Sequence, residues 1–292
     1  MDPTRATFTS ASDAATITTY SWKTEGPPRG VVQIAHGLAE HALRYDRLAR
    51  ALTGAGYHVV ASDHRGHGRS VASEKDLGSF GEGGWAGLVA DVMALGRELR
   101  ARHPGLPLFL VSHSMGSFAA QQVVLEASDL YAGVVLSGST ALDVMATALA
   151  QGGGGGGGDL SVFNAGFPHR TGYEWLSRDE AEVDKYVADP LCGFALPADT
   201  IPQLFSAAPR LADPAALGGI RGGLPLLIVS GQADPLAGNG QLVGLLAQRY
   251  RDAGLSDVTL RVYPEARHEI FNETNREEVT ALVLSWLKTR TA

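Results

Sequence analysis

A serine, an acid and a histidine stand in the chain order that suits nucleophilic catalysis. Ser114 lies in Ser112-His113-Ser114-Met115-Gly116, after the apolar run Pro107 to Val111 and before a helical stretch reaching Val124. A serine on such a sharp strand-to-helix turn has its hydroxyl pushed clear of the sheet, with the helix amino end behind it. The turn brings backbones close, so small residues belong two before and two after the serine. Gly116 fills the second place. Ser112 fills the first, where glycine is usual, and is small enough to fit.

A nucleophilic serine needs a base, and the base needs an acid to orient it. Nine histidines compete for the role of base. Most fall in loops or surface-like contexts. His268, in Tyr263-Pro264-Glu265-Ala266-Arg267-His268-Glu269-Ile270, follows an apolar strand and precedes the closing helix. That puts it at the carboxyl edge of a sheet, where ligands bind in open α/β folds. The acid belongs after the preceding strand, and Val229-Ser230-Gly231-Gln232-Ala233-Asp234-Pro235 supplies Asp234. Each residue has a plainer reading: a loop serine, an Asp-Pro turn, a helix-entry histidine. All three in the required order make joint coincidence the weaker account. Asp63 is a second acid at a strand end, but it precedes the serine and reads as a loop organiser. Backbone donors for an oxyanion are expected at Met115 and at Leu38, which follows the turn His36-Gly37.

The elements that must position these groups alternate along the chain. Thr16 to Trp22, Val31 to Ala35, Tyr57 to Ala61, Pro107 to Val111, Gly133 to Leu136, Pro225 to Ser230 and Val258 to Tyr263 read as strands. Arg44 to Gly54, Trp85 to Leu99, Gln241 to Ala253 and Arg276 to Thr289 carry helical spacing. This is the pattern of a mostly parallel sheet flanked by helices. The rhythm breaks between Ala141 and Pro214, so 1–140 and 215–292 are expected to form one core and 141–214 an insertion. The run Gly152 to Gly158 cannot hold a regular element, because glycine loses the most entropy when fixed. It reads equally as a mobile loop or as a neutral low-complexity expansion.

Composition narrows the function. The chain has 292 residues, 24 basic and 31 acidic, for a formal charge of −7. A net acidic chain has no general attraction for nucleic acid or anionic lipid. A single cysteine, Cys192, excludes an intrachain disulfide and zinc sites built on several cysteines. It reads as a small buried apolar residue rather than a redox or modification point. No stretch reaches the roughly 20 apolar residues of a membrane helix, and the first residues lack signal-peptide order. A cytoplasmic location is the expectation.

The motifs now carry a resemblance. Ala35-His36-Gly37-Leu38-Ala39-Glu40-His41 with Arg44-Tyr45, and Asp63-His64-Arg65-Gly66-His67-Gly68-Arg69-Ser70, are fairly specific. With the Ser114 turn, Asp234 and His268, they make the chain resemble the α/β-hydrolases of the monoacylglycerol lipase and lysophospholipase group, also grouped with serine-aminopeptidase-like hydrolases. The resemblance implies an α/β-hydrolase fold with an inserted cap over the site. It implies Ser114 as nucleophile, His268 as base, Asp234 as acid, and Leu38 and Met115 as oxyanion donors. The implied activity is hydrolysis of monoacylglycerols, lysophospholipids or similar single-chain acyl esters, small molecules met by transient contact of the cap with a lipid surface. Amide, thioester or carbon–carbon cleavage by the same residues remains open, as does a ligand-binding receptor with slow turnover. The serine argues against the dehalogenases and epoxide hydrolases of this architecture, which use an aspartate nucleophile.

No cofactor and no metal are expected. The pairs His64 and His67, and His36 and His41, lack the spacing of a helical zinc pair with its glutamate. The glycine run lacks the lysine and hydroxyl residue of a phosphate loop. The insertion holds Leu142, Val144, Met145, Phe163, Phe167, Trp175, Leu176, Phe194, Leu196, Leu204 and Phe205, too apolar a set for a solvated loop. A local mini-core accounts for most of them, and an acyl groove would claim a subset.

Overall fold

The computed structural model describes residues 2–151, 158 and 160–291. Eight strands form one sheet: β1 Thr4–Thr9, β2 Thr16–Trp22, β3 Gly30–Ala35, β4 Tyr57–Ser62, β5 Leu108–His113, β6 Gly133–Ser137, β7 Leu226–Gly231 and β8 Val258–Tyr263. Their order is β1-β2-β4-β3-β5-β6-β7-β8. β2 runs antiparallel to both neighbours, and every other pairing is parallel. The protein has the α/β-hydrolase fold. β1 is an element the sequence reading lacks. Its residues are mostly exposed and polar, with Phe8 its one large apolar side chain, so no period-two signal marks it.

Central strands bury both faces. Val31, Leu108, Leu110, Leu226 and Ile228 pack on the side of α2 (Gly84–Arg102), α3 (Met115–Ala127) and α9 (Gln241–Asp252). Val32, Phe109, Val111, Leu227 and Val229 pack against α1 (Asp46–Gly54) and α10 (Arg276–Lys288). Such two-sided burial is why these strands read as continuous apolar runs rather than alternating ones. α1 buries Leu48, Ala49 and Leu52 and then stops, because Gly56 takes the left-handed conformation at φ +91°.

Between β6 and β7 the described chain is helical: α4 Leu142–Gln151, α5 Glu180–Ala188, α6 Thr200–Phe205, α7 Ala208–Ala212 and α8 Pro214–Leu217. The glycine run lies outside the described residues except for Gly158. Among the described residues, no helix is long and apolar enough to cross a membrane.

The strand order reverses between β3 and β5, so the loops after them diverge and leave a crevice at the carboxyl edge. Two glycines permit the close approaches there. A Cβ on Gly116 would lie 2.3 Å from the Ala35 carbonyl oxygen. A Cβ on Gly231, at the end of β7, would lie 2.1 Å from the Ala266 carbonyl and 2.3 Å from that of Arg267. Both obstacles are backbone and cannot swing aside. Gly231→Ala is therefore expected to lower the unfolding free energy by about 1–3 kcal/mol, read as a reduced midpoint in urea. A wild-type midpoint would show that the strand and loop can separate freely.

Candidate active site

Ser114 is the residue between β5 and α3, and its backbone sits at φ +50°, ψ −122°. A side chain in that region is strained by roughly 1–3 kcal/mol. The turn is locked on both sides. Ser114 N–H donates to the Ser137 carbonyl of β6 at 2.9 Å, and its own carbonyl accepts from Ser117 and Phe118 N–H. Ser112, in the usual glycine place, is buried and donates its hydroxyl to the Val135 carbonyl at 2.8 Å.

The three sequence-distant side chains meet. Ser114 Oγ lies 2.9 Å from His268 Nε2, and His268 Nδ1 lies 2.9 Å from Asp234 Oδ2. Asp234 Oδ1 accepts the Leu236 N–H, so Pro235 and its turn fix the carboxylate. A carboxylate only accepts, so the imidazole proton sits on Nδ1 and Nε2 is free to accept from the serine hydroxyl. Burial disfavours the charged imidazole. The charge and hydrogen bond of Asp234, with the more distant Glu269 and Glu40, outweigh burial and raise the His268 pKa above its ordinary 6.5.

Leu38 and Met115 line the same cavity as Ser114 and His268. Met115 opens α3, where a first-turn N–H has no acceptor within the helix. Gly37 is needed beside it: a Cβ there would lie 2.7 Å from Glu40 Oε1 and 3.2 Å from Ser114 Cβ. Asp63 does not reach the serine. It accepts the N–H groups of Ala42 and Arg69 and the hydroxyl of Tyr20, which organises the loops after β3 and β4.

Seven of the nine histidines lie in loops, as expected, but six of the nine are buried rather than surface-like. His36, His64 and His67 cluster beneath the early loops, with the His36 ring centroid 4.2 Å from that of His64. His36 Nε2 accepts the His64 N–H, which leaves Nδ1–H to donate to the Gly37 carbonyl at 2.7 Å. Burial, with the neighbouring ring, pushes His64 down to about 3, so it stays neutral. These rings are structural. Their fit to the backbone needs the tertiary packing, and nothing in their spacing announces it.

The insertion supplies one wall. Met145, Leu160, Phe163, Trp175, Leu204 and Phe205 line the cavity with Ile201 and Tyr186. Of the other apolar residues, Phe194 packs on His67 and Phe167 on the Arg267 guanidinium. The wall also grips the histidine loop. Trp175 and Leu176 carbonyls accept the N–H groups of His268 and Glu269, and the Trp175 ring lies 4.8 Å from the His268 ring. Sequence reading assigned no role to Glu40, Arg44 or Glu269. The only signals available were the four-residue spacing of the first two and the adjacency of the third to His268.

One group of donor atoms could in principle hold a metal: among the described residues, His41, Asp189 and Cys192 bring theirs within 4.8 Å of one another. His41 and Asp189 already form a 2.8 Å hydrogen bond. Burial pushes the Cys192 thiol far up, which keeps it protonated and a poor ligand. The group reads as a contact between the insertion and the core.

Residues 26–275 match the family described as serine aminopeptidase, S33. A monoacylglycerol lipase of Mycolicibacterium smegmatis is 34% identical over 91% of this chain and 90% of its own. A human monoglyceride lipase is 31% identical over 93% of this chain and 86% of its own. Among solved structures, a thermostable carboxyl esterase of Bacillus coagulans superposes with a TM-score of 0.86 at 25% identity, covering 100% of both chains.

The histidine's environment can be measured directly. Its raised folded-state pKa means that the stability it contributes is fully present below about pH 6.5 and is lost as pH rises through the folded value. An NMR titration of the His268 ring is expected to give a midpoint above 6.5. Asp234→Asn removes the main favourable charge and should bring the midpoint down. An unchanged midpoint in that variant would break the link between the two residues.

Proposed function

The chain belongs to the serine aminopeptidase, S33, family of α/β-hydrolases, and from that premise we propose that it cleaves single-chain acyl esters, monoacylglycerols first among them, through Ser114, His268 and Asp234. Its relatives make it a serine hydrolase of the lipase and esterase kind. The observation that carries the finer reading is the continuous chain of two 2.9 Å hydrogen bonds from Asp234 to Ser114, opening into a cavity walled by apolar side chains.

In this mechanism Ser114 Oγ attacks the ester carbonyl while His268 Nε2 takes the hydroxyl proton. Asp234 holds the imidazole and stabilises its charged form. Leu38 and Met115 N–H groups stabilise the oxyanion, each contributing about 3 kcal/mol. Collapse of the tetrahedral intermediate passes the proton from His268 to the departing alcohol and leaves the acyl group on Ser114. Water then attacks the acyl carbonyl as His268 takes its proton, and collapse breaks the bond to Ser114 Oγ, returns that proton to Ser114 and releases the acid. The insertion acts as a cap that keeps the acyl chain out of bulk water.

The substrate class follows from the cavity walls. Each methylene buried there contributes about 0.8 kcal/mol, so an alkyl chain is selected over a short acid. Apart from the rings of His113 and His268, no basic side chain among the described residues lines the cavity, and its acidic lining groups are the carboxylates Glu40 and Glu269. Their partner Arg44 is committed to both. That polarity suits a neutral glycerol head and disfavours a phosphodiester, which ranks monoacylglycerol above lysophospholipid.

Ser114→Ala is expected to lower kcat for p-nitrophenyl esters by about 10⁴- to 10⁶-fold while the unfolding midpoint stays near wild type. Near-normal turnover in a folded variant would refute the assignment. Ile201→Trp should narrow the apolar wall. It is expected to raise KM for a long-chain monoacylglycerol about tenfold or more while sparing an acetyl ester. Equal effects on both esters would remove the acyl groove from the proposal.

A further inference from the structure

Arg44 lies outside the proton relay, yet three parts of the site converge on it. Its Nη1 donates to Glu40 Oε2 at 2.7 Å and to Glu269 Oε1 at 2.5 Å, and its Nη2 donates to Glu269 Oε2 at 2.7 Å. Its guanidinium lies 4.8 Å from the centre of the Tyr186 ring, which comes from α5 of the insertion. All four side chains are largely removed from water.

Each partner holds a different piece of machinery. Glu40 Oε1 accepts the Gly37 N–H at 2.5 Å and the Tyr45 hydroxyl at 2.8 Å, so it shapes the turn that presents Leu38. Glu269 is the residue after His268. Tyr186 donates its hydroxyl to the Ala39 carbonyl at 2.9 Å, and Gly193 N–H donates to the same oxygen at 3.0 Å. Ala39 needs that support, because it sits in the left-handed region at φ +54°. The turn carrying Leu38 is thus held from below by Glu40 and from above by the insertion.

From this arrangement we infer that Arg44 is a positioning residue that sets the oxyanion turn and the His268 loop in register, with the insertion docked on the same guanidinium. The inference rests on the function proposed above. A planar fork is required. One edge of it pairs with Glu269 in two parallel bonds while a hydrogen on Nη1 remains for Glu40, and an ammonium group has no such geometry. Electrostatics supports the same role. Burial opposes ionisation of Glu269, but the charge and hydrogen bonds of Arg44 win and hold its carboxyl down at about 2. Burial, with Glu269 adding to it against the pull of Arg44, raises Glu40. Without the guanidinium, two carboxyl groups would share a buried space and would swing apart, taking the turn and the loop with them.

The groups facing His268 are Asp234 on one ring nitrogen, the neutral His113 ring at 4.7 Å, the Trp175 ring, and the charges of Glu269 and Glu40. Removing Arg44 takes away the cation that offsets Glu269, whose negative charge favours the imidazolium. The test is steady-state hydrolysis of a p-nitrophenyl ester across pH by full-length Arg44→Met and Arg44→Lys, with fluorophosphonate labelling alongside. For Arg44→Met, kcat is expected to fall about 10- to 100-fold with KM within about threefold of wild type. The acid limb of kcat/KM should move about one unit to higher pH. Labelling of Ser114 should slow in step with kcat. Arg44→Lys, which keeps the charge and loses the fork, should lose roughly tenfold in kcat with its acid limb near wild type. A rise in KM alone, an unmoved acid limb in Arg44→Met, or a kcat loss matching the fraction unfolded would overturn the inference. If Arg44→Met does not fold, Arg44→Lys decides: wild-type kcat there overturns it, and the tenfold loss with an unmoved limb supports it. Failure of wild-type protein to label at all would instead refute the serine mechanism, so the two failures are distinguishable.

Discussion

A serine backbone held at φ +50° is the constraint around which this molecule is arranged. The conformation is unfavourable in isolation and persists only because its surroundings leave it no alternative. β6 takes its N–H, the first turn of α3 takes its carbonyl, and Gly116 lets that helix press onto the β3 carbonyls. The strain places the hydroxyl at the crevice where the strand order reverses. Everything else in the site is a matter of bringing partners to that one oxygen.

Those partners arrive on loops, and loops are ordinarily the least precise part of an α/β fold. Here each is tied to something rigid. Asp234 is pinned by its own turn. His268 is pressed toward β7 by the absence of a side chain on Gly231, and its N–H is taken by the insertion. The Gly37–Ala39 turn beside Ser114 is held by a buried carboxylate on one side and by Tyr186 and Gly193 on the other. Precision is reached by many short polar contacts to backbone, each of which would be costly to leave unmade once buried. The insertion is therefore part of the frame as well as a wall of the cavity.

Much of this was legible in one dimension. Seven of the eight strands were read directly, and five of them, β3 to β7, carry continuous apolar runs because they are buried on both faces. β1 was invisible, since an exposed edge strand asks almost nothing of its side chains. Ser114, Asp234 and His268 stood out because each follows a recognisable strand in a fixed order. The histidine cluster under the early loops did not, because its neutral rings serve local backbone groups that only the folded chain brings near. The apolar residues of the insertion were recognisable as a set. Which of them face the cavity depended on the packing of short helices whose orientations no periodicity encodes.

Residue order and apolar runs by themselves determined the architecture, the strand ends where chemistry belongs, and the three side chains placed at those ends. They could do so because strand burial and turn geometry are local demands written into neighbouring residues. The fold alone decided the direction in which the His36 and His268 ring protons point, the division of the insertion between mini-core and cavity wall, and the meeting of Glu40, Arg44 and Glu269. Those outcomes depend on distances between segments as much as 225 positions apart, and Coulomb forces and hydrogen bonds act through space with no regard for position along the chain.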